Sequence, residues 1–127
     1  MTEDTIPADL RDFALRQIDS IAHLEALLLL WREPEALWQT ADAAARLYIP
    51  PTQAQNVLDR LASLGLVVRT EAGQFRYEPR DPAQHALLER LADYYSKHLI
   101  AMTHLIHGKR ERRIQEFADA FRLRKGE

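Results

Sequence analysis

The sequence contains no cysteine, which excludes disulfide frameworks, thiol nucleophiles and cysteine-bound zinc together. Glycine is scarce, with four residues standing singly at 65, 73, 108 and 126, so there is no glycine-rich loop to cradle a phosphate. The hydrolase pattern G-x-S-x-G and the metalloprotease pattern H-E-x-x-H are missing too. Long apolar runs are lacking: the longest, Ala26 to Trp31, has six residues, against the roughly 18 that suggest a bilayer span. The chain starts with Glu3, Asp4 and Asp9 instead of a basic stretch followed by an apolar one. No secretory leader is legible, and the cytoplasm is the expected compartment. The paired carboxylates Glu33 and Glu35 flank Pro34 in a loop, where water would leave them unactivated. These absences argue against an enzyme, and no catalytic residue, cofactor or membrane association is expected.

What remains is 127 residues with 46% hydrophobic side chains, enough for one domain with a sizeable core. The net charge of −2 conceals an asymmetry, because residues 1–50 sum to −5, 51–80 to +1, 81–107 to −1 and 108–127 to +3. Any contact with a polyanion therefore falls to residues 51–80 and the tail.

Apolar residues at helical spacing divide the chain. Leu10, Phe13, Ala14, Ile18 and Ile21 predict a helix opening near Pro7. Leu24, Leu27, Leu28, Leu30 and Trp31 predict a second helix, buried on most sides and closed by Pro34. Leu37 to Gln39 reads as a short extended piece, and Thr40 as the N-cap of an alanine-rich helix reaching Leu47. Pro50 and Pro51 end that helix, and Thr52 is expected to cap another in which Ala54, Val57, Leu58, Leu61 and Leu64 form one stripe. Gly65 suits the left-handed residue that closes it. Leu66 to Arg69 and Gln74 to Glu78 predict a hairpin around a turn at Thr70 to Gly73. Asp81-Pro82 restarts a helix running to His107, which Gly108 is expected to interrupt before a last short helix on Ile114, Phe117 and Phe121.

The order extended piece, short helix, turn, capped helix and hairpin over residues 37–78 resembles the winged helix-turn-helix of bacterial transcription regulators, such as the MarR-like and PadR-like families. The likeness is carried by Thr40 to Leu47, by Thr52 to Leu64, and by the run Leu58-x-x-Leu61-x-x-Leu64-Gly65-Leu66-Val67 that enters the hairpin. It implies a mainly helical fold with a small β-wing. Residues 1–36 supply N-terminal helices, 37–79 the winged core, and 80–127 a dimerisation helix with a basic tail. It also implies a homodimer that binds double-stranded DNA and regulates transcription. Winged helices serve as protein-binding modules as well, and that is the alternative.

With the apolar stripe turned inward, the opposite face of the 52–64 helix presents Thr52, Gln53, Gln55, Asn56, Asp59, Arg60 and Ser63. Gln and Asn make bidentate hydrogen bonds to adenine in the major groove, and Arg makes them to guanine. Gln53, Gln55 and Asn56 are the expected base readers, with Thr52 beside them. Arg60 suits a base or a phosphate, and Arg69, Arg76 and Arg80 suit phosphates or the minor groove.

Two further groups of residues invite a reading. His104 and His107 share a helical face, but His98 lies nearly opposite and no carboxylate completes a metal site; His23 and His85 read as surface or boundary side chains. Tyr94, Tyr95, Leu99, Ile100, Met102, Leu105 and Ile106 give the long helix more than one apolar flank, which pairing with a second copy would cover. In the tail, Lys109, Arg110, Arg112, Arg113, Arg122, Arg124 and Lys125 surround Ile114, Phe117 and Phe121. The aromatic pair is expected to dock on the dimer or on a partner protein, with the basic residues outward.

Overall fold

A computed structural model describes residues 6–126, and the side chains of all of these except 110, 113 and 121–126. The tail residues Arg110, Arg113, Phe121, Arg122, Arg124 and Lys125 therefore lie outside the described side chains. The chain folds as α1 (Ala8–Gln17), α2 (Ile21–Arg32), α3 (Thr40–Leu47), α4 (Pro51–Ser63), β1 (Val67–Arg69), β2 (Phe75–Tyr77), α5 (Pro82–Lys97) and α6 (Leu99–Gly126). Two helices, α3 and α4, followed by a two-stranded hairpin give the mainly helical winged helix-turn-helix order that was expected.

Helix α2 is the axis of the core. Its oxygen cap is Ser20, whose side chain accepts from the His23 backbone N–H, and seven of its twelve residues are buried. Leu24, Leu27 and Leu30 are wholly enclosed, each stabilising the fold by about 1.5–3 kcal/mol relative to an exposed side chain. The first two helices are separate, because Ile18 leaves the helical region at φ −105°, ψ 116°. Leu10, Phe13 and Ala14 of α1, Leu88 and Leu91 of α5, and Met102 and Ile106 of α6 enclose the core from one side. Leu58 and Leu61 of α4, with Leu66, Phe75 and Trp38, enclose it from the other.

The wing is antiparallel, with Val67 opposite Tyr77 and Arg69 opposite Phe75. The extended piece before α3 joins it: Trp38 and Phe75 exchange both backbone hydrogen bonds at 2.8 Å. The bridge fixes the base of α3 to the wing. Gly73, at φ +83°, makes the hairpin turn. Tyr77 then ties the wing to α5, its hydroxyl 2.8 Å from His85 Nδ1; burial, aided by Glu89, pushes that phenol up to about 12.

Three expectations at helix ends need correction. Thr40 is not a cap, since Gln39 precedes α3 and the Thr40 hydroxyl is spent elsewhere. Thr52 does not cap α4 either; the helix starts at Pro51, where a missing N–H is harmless. The long C-terminal helix breaks at His98, at φ −132°, and continues through Gly108. A glycine inside a helix costs only about 1 kcal/mol relative to alanine, which the burial of Met102, Leu105 and Ile106 in the turns before it offsets.

Candidate nucleic-acid interface

Helix α4 is positioned from both ends. At its start, Pro51 fixes the first turn. At its close, Leu66 N–H reaches Leu61 C=O at 3.1 Å and Gly65 N–H reaches Ala62 C=O at 3.0 Å, the paired bonds of a Schellman motif. Gly65 sits at φ +79°, and a Cβ there would stand 2.8 Å from Arg80 Nη2. Arg80 is held by this arrangement: its Nη2 donates to Leu64 C=O at 2.8 Å. It therefore covers an open carbonyl at the end of α4.

Ala54, Leu58 and Leu61 are buried, and Thr52, Gln53, Asn56, Asp59, Arg60 and Ser63 are exposed. That is the division the spacing predicts. Gln55 differs. It is half-buried, its Oε1 accepts from the Thr40 hydroxyl at 2.8 Å, and its Nε2 donates to Asp59 Oδ1 at 3.1 Å. The side chain thus locks α3 to α4, keeping one lone pair and one N–H of its amide for any further bond.

The arginines are less open than the sequence suggests. Arg60 Nε donates to Asp19 Oδ2 at 3.2 Å, linking α4 to the turn between α1 and α2. Arg76 Nη2 meets Glu78 Oε1 at 2.8 Å. Both pairs are partly exposed, and such bridges are worth about 0–1 kcal/mol. Arg69 is exposed and has no acidic partner among the described residues. Arg46, on α3, lies over the Trp38 ring at 5.2 Å.

Behind Arg60 lies a buried polar cluster that the sequence did not reveal. His23 is 1% exposed, against the expectation of a surface or boundary side chain. Its Nδ1 accepts from the Asp19 backbone N–H at 2.9 Å, which places the ring proton on Nε2. Burial, reinforced by Arg60 and Lys109, lowers its pKa to about 4 despite the Asp19 carboxylate. Lys109 is also buried, and its Nζ donates to Ile18 C=O at 2.8 Å and Ala14 C=O at 3.4 Å. A cation among the last carbonyls of α1 suits the helix dipole. This corrects the expectation that Lys109 points outward with the tail.

The flank expected to pair between copies is largely covered within one chain. Tyr95, Met102, Leu105 and Ile106 are buried and Tyr94 is half-buried, because α1 and α2 pack across them. Tyr95 donates to Glu25 Oε2 at 2.6 Å, and burial with that bond raises its pKa. Leu99, Ile100, Ile114 and Phe117 stay exposed on α6, at 53%, 70%, 62% and 74%. His98 stacks on Tyr94 at 4.4 Å, and among the described residues no three histidines or carboxylates gather into a metal site. No helix among the described residues is long and apolar enough to cross a membrane.

The residue that sequence reasoning missed altogether is Tyr48, in the turn between α3 and α4. It is 94% exposed and left-handed at φ 58°. No pattern in the sequence marks a non-glycine residue for that conformation.

No protein-family model matches the chain, and none of the curated proteins does. Two solved structures are similar. One is a possible transcriptional regulator from Methanosarcina mazei, 16% identical, with 72% of this chain and 81% of that chain covered and a TM-score of 0.48. The other is MepR, a transcription regulator of the Staphylococcus aureus multidrug efflux pump MepA, also 16% identical, with 94% and 90% covered and a TM-score of 0.49.

Proposed function

We propose that this protein is a cytoplasmic, homodimeric transcription regulator that binds double-stranded DNA with sequence specificity through α4 and the wing. The observation that carries the reading is the outer face of α4. Thr52, Gln53 and Asn56 crowd its first two turns with uncharged hydrogen-bonding groups, all exposed, on a helix rigidly seated by Leu58 and Leu61. An α-helix fits the major groove, and amides at its N-terminal end are the groups that read adenine. Gln55 adds its remaining lone pair and N–H from a side chain already oriented by Thr40 and Asp59.

The arginines supply the sequence-independent part of the attraction. Arg69 and Arg76 on the wing face phosphates or the neighbouring minor groove. Arg60 exchanges Asp19 for a phosphate or a guanine, a change that costs little because the pair is half-solvated. Leu99, Ile100, Ile114 and Phe117 supply the apolar surface for a second copy. Two-fold pairing sets two recognition helices about 34 Å apart, the spacing of palindromic half-sites. The C-terminal tail is the segment through which a protein partner would be met.

The test is selection of bound duplexes from a random-sequence pool. An enriched palindrome, together with relaxed preference at one position per half-site in Asn56→Ala, is the expected result. Recovery of the pool without enrichment would contradict sequence-specific reading.

A further inference from the structure

Helices α3 and α4 end in the same hydrogen-bond pattern. Ile49 N–H reaches Ala44 C=O at 3.1 Å and Tyr48 N–H reaches Ala45 C=O at 3.4 Å, as Leu66 and Gly65 do at the end of α4. Both motifs require a left-handed residue. At the end of α4 the chain uses glycine, which adopts that backbone freely. At the end of α3 it uses Tyr48, whose Cβ crowds the following carbonyl oxygen at φ 58°.

Among the described residues nothing offsets that choice. The ring is 94% exposed, so its apolar surface contributes nothing to the core, and its hydroxyl has no hydrogen-bond partner among the described residues. Glycine at 48 would serve the fold better. A conformationally costly, fully exposed aromatic residue is the mark of a contact made with another molecule.

The place of Tyr48 says which molecule. In a helix-turn-helix the first helix crosses the phosphate backbone while the second enters the groove. The turn joining them borders the strand at the groove's edge. Tyr48 lies three residues before Pro51, so its Cα is within about 11 Å of the first residue of α4.

We propose that Tyr48 is a duplex-contact residue whose hydroxyl donates to a backbone phosphate and whose ring packs on the adjoining deoxyribose. The proposal rests on the reading of α4 as a groove reader. Being uncharged, the contact adds affinity without releasing a counterion, unlike those of the arginines.

The experiment measures anisotropy of a labelled random-sequence 30-base-pair duplex pool with the full chain over a series of salt concentrations. Wild type, Tyr48→Gly, Tyr48→Phe and Arg69→Ala are compared, and thermal unfolding of each is followed in parallel. Tyr48→Gly should unfold at the same or a higher temperature than wild type. Its DNA affinity should drop roughly tenfold with an unchanged dependence on salt. Tyr48→Phe should lose a smaller part of the affinity, again without a change of slope, whereas Arg69→Ala, which removes one phosphate contact from each protomer of the dimer, should flatten the slope by about two units. Wild-type affinity in both Tyr48 variants overturns the proposal, as does a change of slope in Tyr48→Gly. Failure of the wild type to bind any duplex overturns the reading of α4 itself, which the Tyr48 variants alone do not test.

Discussion

At the scale of single residues, the winged core depends on groups whose chemistry allows few substitutes. Gly65 is one, since its φ of +79° and the 2.8 Å approach of Arg80 to a would-be Cβ act together. Gly65→Ala should therefore destabilise the protein by about 1–2 kcal/mol from the backbone alone, and by more as Arg80 leaves the Leu64 carbonyl. Equilibrium urea unfolding reads the difference. His23 is another. Its pKa of about 4 in the fold lies below the ordinary value near 6.5, so the unfolded chain binds the proton more readily. The stabilisation is complete above about pH 6.5 and is lost as pH falls toward 4, by up to about 3 kcal/mol. Thermal melts from pH 7 to 4 should show that loss, and His23→Gln, neutral throughout, should flatten it; a parallel profile for both proteins would assign the acid sensitivity to another group. Leu61 has no polar role, and its enclosure predicts a loss of about 2–5 kcal/mol in Leu61→Ala.

At the scale of elements, α3 and α4 act as one rigid unit because Thr40 and Gln55 join them across fifteen residues of sequence. Thr40→Val removes that bond while conserving shape. It should lower stability by about 1 kcal/mol and reduce discrimination between duplexes more than it reduces affinity, which competition binding would show. What the sequence disclosed of these elements was what local chemistry enforces. Pro50-Pro51, Gly65 and Asp81-Pro82 marked helix ends because their backbone demands are properties of the residues themselves, and the stripe through Ala54, Leu58 and Leu61 sorted the exposed face of α4 except at Gln55, which is half-buried against Thr40. Thr40 was misread because a hydroxyl beside a helix start looks the same whether it caps its own helix or reaches the next. The break at His98, the unbroken course through Gly108, and the inward turn of Lys109 onto α1 carbonyls depend on what packs alongside, ninety residues distant in the case of Lys109. Spacing carries no such information. The burial of His23 escaped for the same reason, since an isolated histidine has no pattern.

At the scale of the whole molecule, α6 ties the other parts together. Its first half closes the core against α1, and Lys109 fixes the α1 terminus beside Asp19, which in turn holds Arg60 of α4. Removal of everything from residue 109 onward would unseat α1 as well as the tail, so a shorter truncation is the proper probe of the tail. The exposed Ile100 and Phe117 are the residues on which association should depend. Ile100→Glu with Phe117→Glu is expected to shift sedimentation from dimer to monomer at micromolar concentration while leaving the melting temperature of the fold nearly unchanged. A wild-type chain that sediments as a monomer would contradict the two-fold arrangement. The central claim, that α4 and the wing engage duplex DNA, is tested most directly by the salt dependence of binding to a duplex pool. With Arg60, Arg69 and Arg76 of two protomers each neutralising a phosphate, log affinity should fall against log salt with a slope of about −5. Affinity that is undetectable at low salt, or that does not change as salt rises, would contradict it.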